Sequence, residues 1–184
     1  MINDVSSETN PNHLIPEYLE KLSKIVQRLS VGVQSFNNDI LKKMGRYNKY
    51  GSSEEIFKRV QSVSGMFKSL NVDMMSNFPG QTEEHVMRDV EMARNCGANQ
   101  VTFYPLMVSP VSRDSIEQTL GSVNYKNEEK FYHLIYDGFC GEGKGYIPSS
   151  CYTFSTEQDI MVDEYVVNYE EYPAVGSGGI SYLD

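Results

Sequence analysis

Hydrophobic and polar positions change their period along the first 107 residues of the chain. Four stretches, 5–8, 29–36, 72–77 and 100–107, alternate their side chains and are rich in β-branched or aromatic residues, which is typical of strands. The stretches between them space apolar residues three and four apart, which predicts helices. Strands that alternate with helices in this way predict a parallel sheet with crossover helices.

The predicted helices begin at recognisable residues. Pro16 opens a helix that runs to about residue 26, and Asn37, Ser52 and Thr82 are N-caps expected of three later helices. Ser52 precedes Glu55 by three residues, which is the spacing of a capping box. Residues 47–51 lie between two of these helices and are predicted to form a polar loop.

The pattern changes after residue 110. One amphipathic helix is predicted at 125–136 and a mobile glycine-rich loop at 138–145. Short strands are predicted at 152–154 and 165–169. These elements predict a smaller and more antiparallel region than the one before it.

Composition narrows the class of protein. With 184 residues and 40% hydrophobic content, the chain can bury one core, and its net charge of −9 argues against a nucleic-acid partner. No apolar run is long enough to span a membrane, and no signal pattern opens the sequence, so we expect a cytoplasmic location. Cys96, Cys140 and Cys151 are widely spaced and are expected to be structural thiols rather than metal ligands.

Polar side chains lie near the carboxyl ends of three predicted strands. They are Glu8, Gln34 and Asp73, and Gln34 has a glycine two residues before it on the same face. In parallel α/β barrels these strand ends form the mouth where ligands bind. Arg46 follows Gln34 by one short helix and can fold back over that mouth. The alternatives are a glutamine that hydrogen-bonds a loop, and surface acids that pair with Arg46.

Four segments, taken in order, resemble radical S-adenosylmethionine (SAM) enzymes of the oxygen-independent coproporphyrinogen III oxidase-like family. They are Glu-Thr-Asn-Pro at 8–11, Val-Gly-Val-Gln-Ser-Phe at 31–36, Asn-Val-Asp-Met-Met-Ser-Asn-Phe-Pro-Gly-Gln-Thr at 71–82, and Ala-Val-Gly-Ser-Gly-Gly-Ile-Ser-Tyr-Leu at 174–183. The resemblance implies an α/β fold in which residues 1–110 form strands 3 to 6 of a partial radical SAM (βα) barrel. Residues 111–184 would begin a smaller C-terminal α+β appendage.

The resemblance also assigns residues of a SAM site. Arg46 matches the arginine that meets the carboxylate of SAM. Gln34 and Asp73 match polar residues near the ribose, and Glu8 matches an acid on the preceding strand. All four are expected to position the ligand, since none of them can transfer an electron.

The resemblance places the backbone at Met75 and around Pro105 beside the adenine. In the family, a [4Fe–4S] cluster cleaves SAM to a radical that starts the oxidative decarboxylation of a porphyrinogen propionate. The implied cofactors are therefore SAM and the cluster. The implied partners are a tetrapyrrole or haem and an electron donor such as flavodoxin or ferredoxin.

Family members hold the cluster with a Cys-x-x-x-Cys-x-x-Cys run, and this sequence contains no such spacing. The expectation is therefore a fragment or the product of an internal start, without cluster ligands of its own. Such a chain alone is expected to be inactive.

Other functions remain open at this stage. One is anaerobic haem breakdown, and another is the role of a haem chaperone without oxidase activity. The chaperones carry a His-Asn-x-x-Tyr-Trp stretch, whereas residues 163–169 of this chain contain neither histidine nor tryptophan. A third is an unrelated α/β enzyme for a small molecule. The sequence does not specify which tetrapyrrole or other substrate is used.

Overall fold

One mixed sheet organises the fold. The computed structural model describes residues 4–111 and 113–158, together with 171, 173–176 and 181. The sheet has six strands in the order β1-β2-β3-β4-β6-β5, of which the first four are parallel and the last two antiparallel. The strands are β1 (Ser6–Thr9), β2 (Arg28–Gln34), β3 (Ser69–Ser76), β4 (Gln100–Pro105), β5 (Ile147–Pro148) and β6 (Thr153–Ser155).

Helices connect the parallel strands, as predicted. The α-helices in the described residues are α1 (Pro16–Leu22), α2 (Asn38–Lys43), α3 (Tyr47–Tyr50), α4 (Ser53–Ser62), α5 (Glu83–Asn95), α6 (Arg113–Thr119) and α7 (Glu128–Cys140). The Asn37 side chain caps α2, and Ser52 with Glu55 forms the predicted capping box of α4. No helix among the described residues is long and apolar enough to cross a membrane.

The core lies between the sheet and its helices. Val31, Val72, Val101 and Phe103 point from β2, β3 and β4 toward the helices and are buried. Phe139 of α7 joins the same core. Burial of this apolar face stabilises the fold by the hydrophobic effect, and it leaves the other face of the sheet for polar chemistry.

A buried arginine ties the strands together on that other face. Arg28 is 1% exposed, and its Nε donates to Gln100 Oε1 at 2.8 Å while Nη1 donates to Ser6 Oγ at 3.2 Å. Gln100 Nε2 in turn donates to Ser155 Oγ at 3.2 Å. The network therefore joins β1, β2, β4 and β6 at the amino-terminal ends of the parallel strands.

Two local predictions were wrong. Residues Tyr47–Tyr50 form the short helix α3 and not a loop. Helix α7 continues to Cys140, through the beginning of the predicted glycine-rich loop. Helix α5 packs so closely against α7 at Gly138 that a side chain has no room there. A Cβ at this position would lie 2.6 Å from Val90 Cγ1.

The partial barrel expected from the resemblance is confirmed by the order and direction of β1 to β4. The short strands of the C-terminal region pair with β4 in the same sheet. The strand predicted at 165–169 lies outside the described residues, as does much of the 174–183 segment.

Candidate functional site

Two strained residues mark the carboxyl ends of neighbouring strands. Gln34 ends β2 with φ of 75°, and Asn77 follows β3 with φ of 64°. They are the non-glycine residues with positive φ in the described part of the chain. Non-glycine residues in this region are uncommon and concentrate at functional sites. The strand register also shifts between Gly32 and Gln34, so β2 leaves the regular ladder here.

Arg46 folds back over the end of β2, as expected from its spacing. Its Nη2 donates to the carbonyl oxygen of Gly32 and lies 3.4 Å from Asn10 Oδ1. The guanidinium also lies 4.4 Å from the centre of the Tyr50 ring, a cation–π contact. Three neighbours thus fix the orientation of a cation at the mouth of the partial barrel.

The Arg46 guanidinium carries one unsatisfied donor. Its Nε is buried and has no hydrogen-bond partner among the described residues. Burial lowers the pKa of Arg46, and the nearby Tyr50 partly offsets this. An anionic ligand would satisfy the donor and stabilise the buried charge.

Gly32 allows polar side chains to approach the end of β2 closely. A Cβ at this position would lie 3.2 Å from Gln34 Nε2, 3.7 Å from Arg46 Nη2 and 3.8 Å from Asn10 Oδ1. The three polar groups therefore converge around a backbone position that carries no side chain. We call Asn10, Gln34 and Arg46, which surround Gly32, together with Asp73, which pairs with Gly32 in the strand register, the strand-end site.

Asp73 lies beside Gly32 in the β2–β3 register and is held by its neighbours. Ser30 Oγ donates to Asp73 Oδ2 at 2.5 Å, and Asn71 Nδ2 donates to Asp73 Oδ1 at 2.8 Å. Thr102 Oγ1 donates to Asn71 Oδ1 at 3.1 Å. These bonds orient a half-buried carboxylate toward the polar face, where it can accept hydrogen bonds from hydroxyl groups.

Glu8 lies one step lower on the sheet. It pairs with Ser30 in the parallel register of β1 and β2, two residues before the level of Gly32 and Asp73. The side chain of Glu8 is exposed. It therefore lies at the outer margin of the strand-end site.

Met75 and Pro105 occupy different sides of the strand ends. Met75 is half-buried and packs against a small apolar cluster of Ile40, Phe78 and Leu106. Pro105 is in register with Ser76, and both residues line a cavity on the helix side of the sheet. The Met75 side of β3 thus offers apolar surface next to the strand-end site, while the Pro105 side chain faces away from it.

The turn that carries Gln34 is anchored by a buried acid. Asp89 of α5 accepts hydrogen bonds from Ser35 Oγ at 2.8 Å and from the Phe36 N–H at 2.7 Å. Ser35 Oγ also accepts from the Asn37 N–H at 3.0 Å, next to the cap of α2. Burial raises the pKa of Asp89 to about 7, although the two bonds it accepts favour its ionised form.

Sequence reasoning missed several of these residues. Asn10 and Asp89 were not predicted as site residues, because each contributes through contacts between distant parts of the chain, and the positive φ of Asn77 was not predicted either. Asn77 Nδ2 and Gln81 Nε2 are buried donors without a partner in the described part of the chain. Both residues belong to the Asn-Phe-Pro-Gly-Gln run that directly follows β3, and this run is the feature of the sequence that could have drawn attention to them.

The described residues do not fit an iron–sulfur cluster. No three His, Cys, Asp or Glu side chains among them come together as metal ligands. Cys96 is buried as predicted, and burial raises the pKa of its thiol to about 11, which disfavours the thiolate that iron requires.

Comparison with known proteins places this geometry in a family. Residues 2–93 match the family model of the radical SAM superfamily. Heme chaperone HemW from Bacillus subtilis is 34% identical over 110 residues, which cover 59% of this chain and 28% of that protein. Heme chaperone HemW from Lactococcus lactis is 29% identical over 190 residues, covering 100% of this chain and 48% of that protein.

A similarity to a solved structure supports the fold. Coproporphyrinogen III oxidase (HemN) from Escherichia coli, described as a radical SAM enzyme, superposes with a TM-score of 0.68 at 18% identity, covering 83% of this chain and 35% of that chain. The chain thus spans about a quarter to a half of the length of the curated relatives it matches. It belongs to the radical SAM superfamily, and its predicted resemblance to the coproporphyrinogen III oxidase-like branch is confirmed.

Proposed function

We propose that the strand-end site positions S-adenosylmethionine. Arg46 would bind the ligand's carboxylate, since its buried Nε is an unsatisfied charged donor. Gln34 and Asp73 would bind the ribose hydroxyls, because Gln34 packs beside Gly32 and Asp73 pairs with Gly32 in the strand register. Glu8 would stand at the margin as a further acceptor for the ligand.

The adenine would lie along the Met75 side of the sheet. Met75 joins the Ile40, Phe78 and Leu106 cluster, which offers an apolar surface to a planar base. The backbone at Met75 and Pro105 supplies peptide groups at neighbouring strand ends for the edge of that base. In this arrangement the Pro105 side chain does not contact the ligand, because it lines the cavity on the helix side.

The reaction we propose is that of a radical SAM oxidoreductase acting on a tetrapyrrole. Candidates are the oxidative decarboxylation of coproporphyrinogen III and related haem chemistry. In the proposed reaction a [4Fe–4S] cluster, for which the described residues provide no ligand set, would supply one-electron reduction of the ligand's sulfonium. Arg46, Gln34 and Asp73 hold the ligand in one orientation for that chemistry. A cytoplasmic location and a flavodoxin or ferredoxin donor belong to the same proposal.

A second candidate function is haem binding without oxidase activity. The curated relatives with the names quoted above are haem chaperones, and one of them aligns with the whole chain. Against it stands the 163–169 segment, which lacks the histidine of the chaperone motif. Haem titration of the chain followed by its Soret absorbance separates the two, since a chaperone should bind haem whether or not SAM is present.

The experiment that tests the proposal is calorimetry of SAM binding to the chain and its arginine variants. Arg46→Ala should weaken binding by about 1.5–3 kcal/mol, the loss expected for a charged hydrogen bond. Arg46→Lys should restore only part of it, because a lysine ammonium cannot reproduce the planar fork of arginine.

The matched control is Arg88→Ala. Arg88 is exposed, pairs at 3.8 Å with Glu54 on the helix surface, and has no hydrogen bond to a residue of the strand-end site in the described part of the chain. It should leave SAM affinity unchanged. Melting curves of each variant show that the fold is retained, and unchanged affinity in a folded Arg46→Ala variant would remove Arg46 from the proposed site.

A further inference from the structure

A cavity of about 420 Å³ lies on the helix side of the sheet, away from the strand-end site. It is bounded by the end of β4, the first turns of α7 and the segment before β6. We call it the α7 cavity. Its volume falls within the range of small-molecule sites, which occupy about 300–1,000 Å³. The strand-end site lies on the opposite face, so SAM binding makes no use of this cavity.

The walls of the α7 cavity are aromatic. Phe103 and Ile135 are buried and form its apolar base. The rings of Tyr132 and Tyr152 meet edge to face, with their centres 6.4 Å apart. Burial raises the pKa values of both phenols, so they remain neutral at physiological pH. Neutral phenol rings present electron-rich faces that attract cations.

Two carboxylates complete the cavity. Glu128 and Glu129 begin α7 and line the cavity, and no lysine or arginine lines it with them. In the described part of the chain neither carboxylate forms an ion pair. The pKa of Tyr152 is raised mainly by burial, then by the neighbouring Cys151, and then by the negative charge of Glu128. The Glu128 carboxylate therefore lies within electrostatic reach of the aromatic wall.

Glu128 and Glu129 lie at the N-terminus of α7, where the helix dipole favours negative charge. The helix dipole does not account for the aromatic side chains that line the cavity with them. The two carboxylates would repel a compact anion. A neutral ligand would gain no electrostatic attraction from them. An alkylated ammonium group satisfies both features, because it packs against aromatic faces and draws on nearby negative charge. We propose that the α7 cavity binds a small organic cation bearing an alkylated ammonium group.

The test uses choline and its neutral carbon isostere, 3,3-dimethylbutan-1-ol, which differ in charge and hardly in shape. Binding to the full chain is followed by the NMR shifts of the tyrosine rings and by the rate at which iodoacetamide alkylates Cys151. Cys151 lines the cavity and is exposed, so a bound ligand should slow its alkylation. We expect choline to bind with a Kd of about 1–10 mM, consistent with a few weak contacts.

Variants separate the two features of the site. Glu128→Gln combined with Glu129→Gln should weaken choline binding at least about threefold and leave the isostere unaffected. Tyr152→Phe should retain choline, whereas Tyr152→Leu should lose affinity because it lacks a ring. Glu142→Gln, on the exposed loop after α7, is the control and should change nothing.

Circular dichroism of each variant confirms that it folds. The proposal fails if choline and its isostere bind equally. It also fails if the folded double glutamine variant keeps wild-type affinity for choline, or if choline neither shifts the tyrosine signals nor protects Cys151. These outcomes are independent of SAM, so they do not depend on the proposed function of the strand-end site.

Discussion

Replacing Asp89 by asparagine should remove a pH dependence from the stability of the fold. Asp89 is completely buried and accepts hydrogen bonds from Ser35 and Phe36. Its pKa rises from 3.8 to about 7 because burial disfavours the charged form. Between these values the folded chain binds more protons than the unfolded chain. The free energy of unfolding therefore falls as the pH rises through this window and levels off above it.

The size of the effect follows from the same shift. Each pH unit inside the window lowers the free energy of unfolding by up to about 1.4 kcal/mol. From about pH 5 to pH 7 the contribution of Asp89 is therefore on the order of 2–3 kcal/mol. An asparagine at this position has no such titration. Its Oδ1 can still accept from the Phe36 N–H, and its Nδ2 can donate to Ser35 Oγ, so the turn is retained.

The assay is urea unfolding of wild type and variants at several pH values. We expect the difference in unfolding free energy between wild type and Asp89→Asn to change with pH by the amount given above. Glu91→Gln is the control, since Glu91 lies on the same helix and is exposed. Parallel pH profiles for wild type and Asp89→Asn would refute the reasoning and would mean that Asp89 is ionised throughout.

Three further results are expected. Gly138→Ala should destabilise the fold by about 1–3 kcal/mol in urea unfolding because its Cβ would clash with Val90, and adding Val90→Ala should recover much of that loss. Iodoacetamide should modify the exposed Cys151 and spare the buried Cys96 until the chain unfolds; equal rates would contradict the packing around Cys96. Supplied with iron and sulfide without oxygen, the chain should assemble no stoichiometric four-iron cluster, and Mössbauer spectra showing one would overturn this.

Much of the first half of the fold could be predicted from local patterns. Alternation identified β1 to β4, and the Asn37 and Ser52 caps were read from single residues and short spacings. These features depend on neighbours in sequence, which is why they are visible without coordinates. The spacing of Arg46 after Gln34 also predicted correctly that the arginine returns to the end of β2.

The features that the sequence did not predict depend on contacts between residues that are far apart in the chain. The bond between Asp89 and Phe36 joins residues 53 positions apart, and no local pattern marks it. Gly138 was taken as a loop residue because glycine is a poor helix former, yet close packing against Val90 favours it within α7. The positive φ of Gln34, directly before the turn that Asp89 of α5 anchors, is likewise not marked by a local pattern.

Binding of SAM and of an analogue without its carboxylate tests the central claim most directly. The analogue is decarboxylated SAM, and both ligands are titrated calorimetrically into wild type and Arg46→Ala. If Arg46 binds the carboxylate, wild type should prefer SAM and the variant should not. The cycle should give a coupling energy of about 1.5–3 kcal/mol. A coupling energy below about 0.5 kcal/mol would contradict the account, because the arginine and the carboxylate would then act independently.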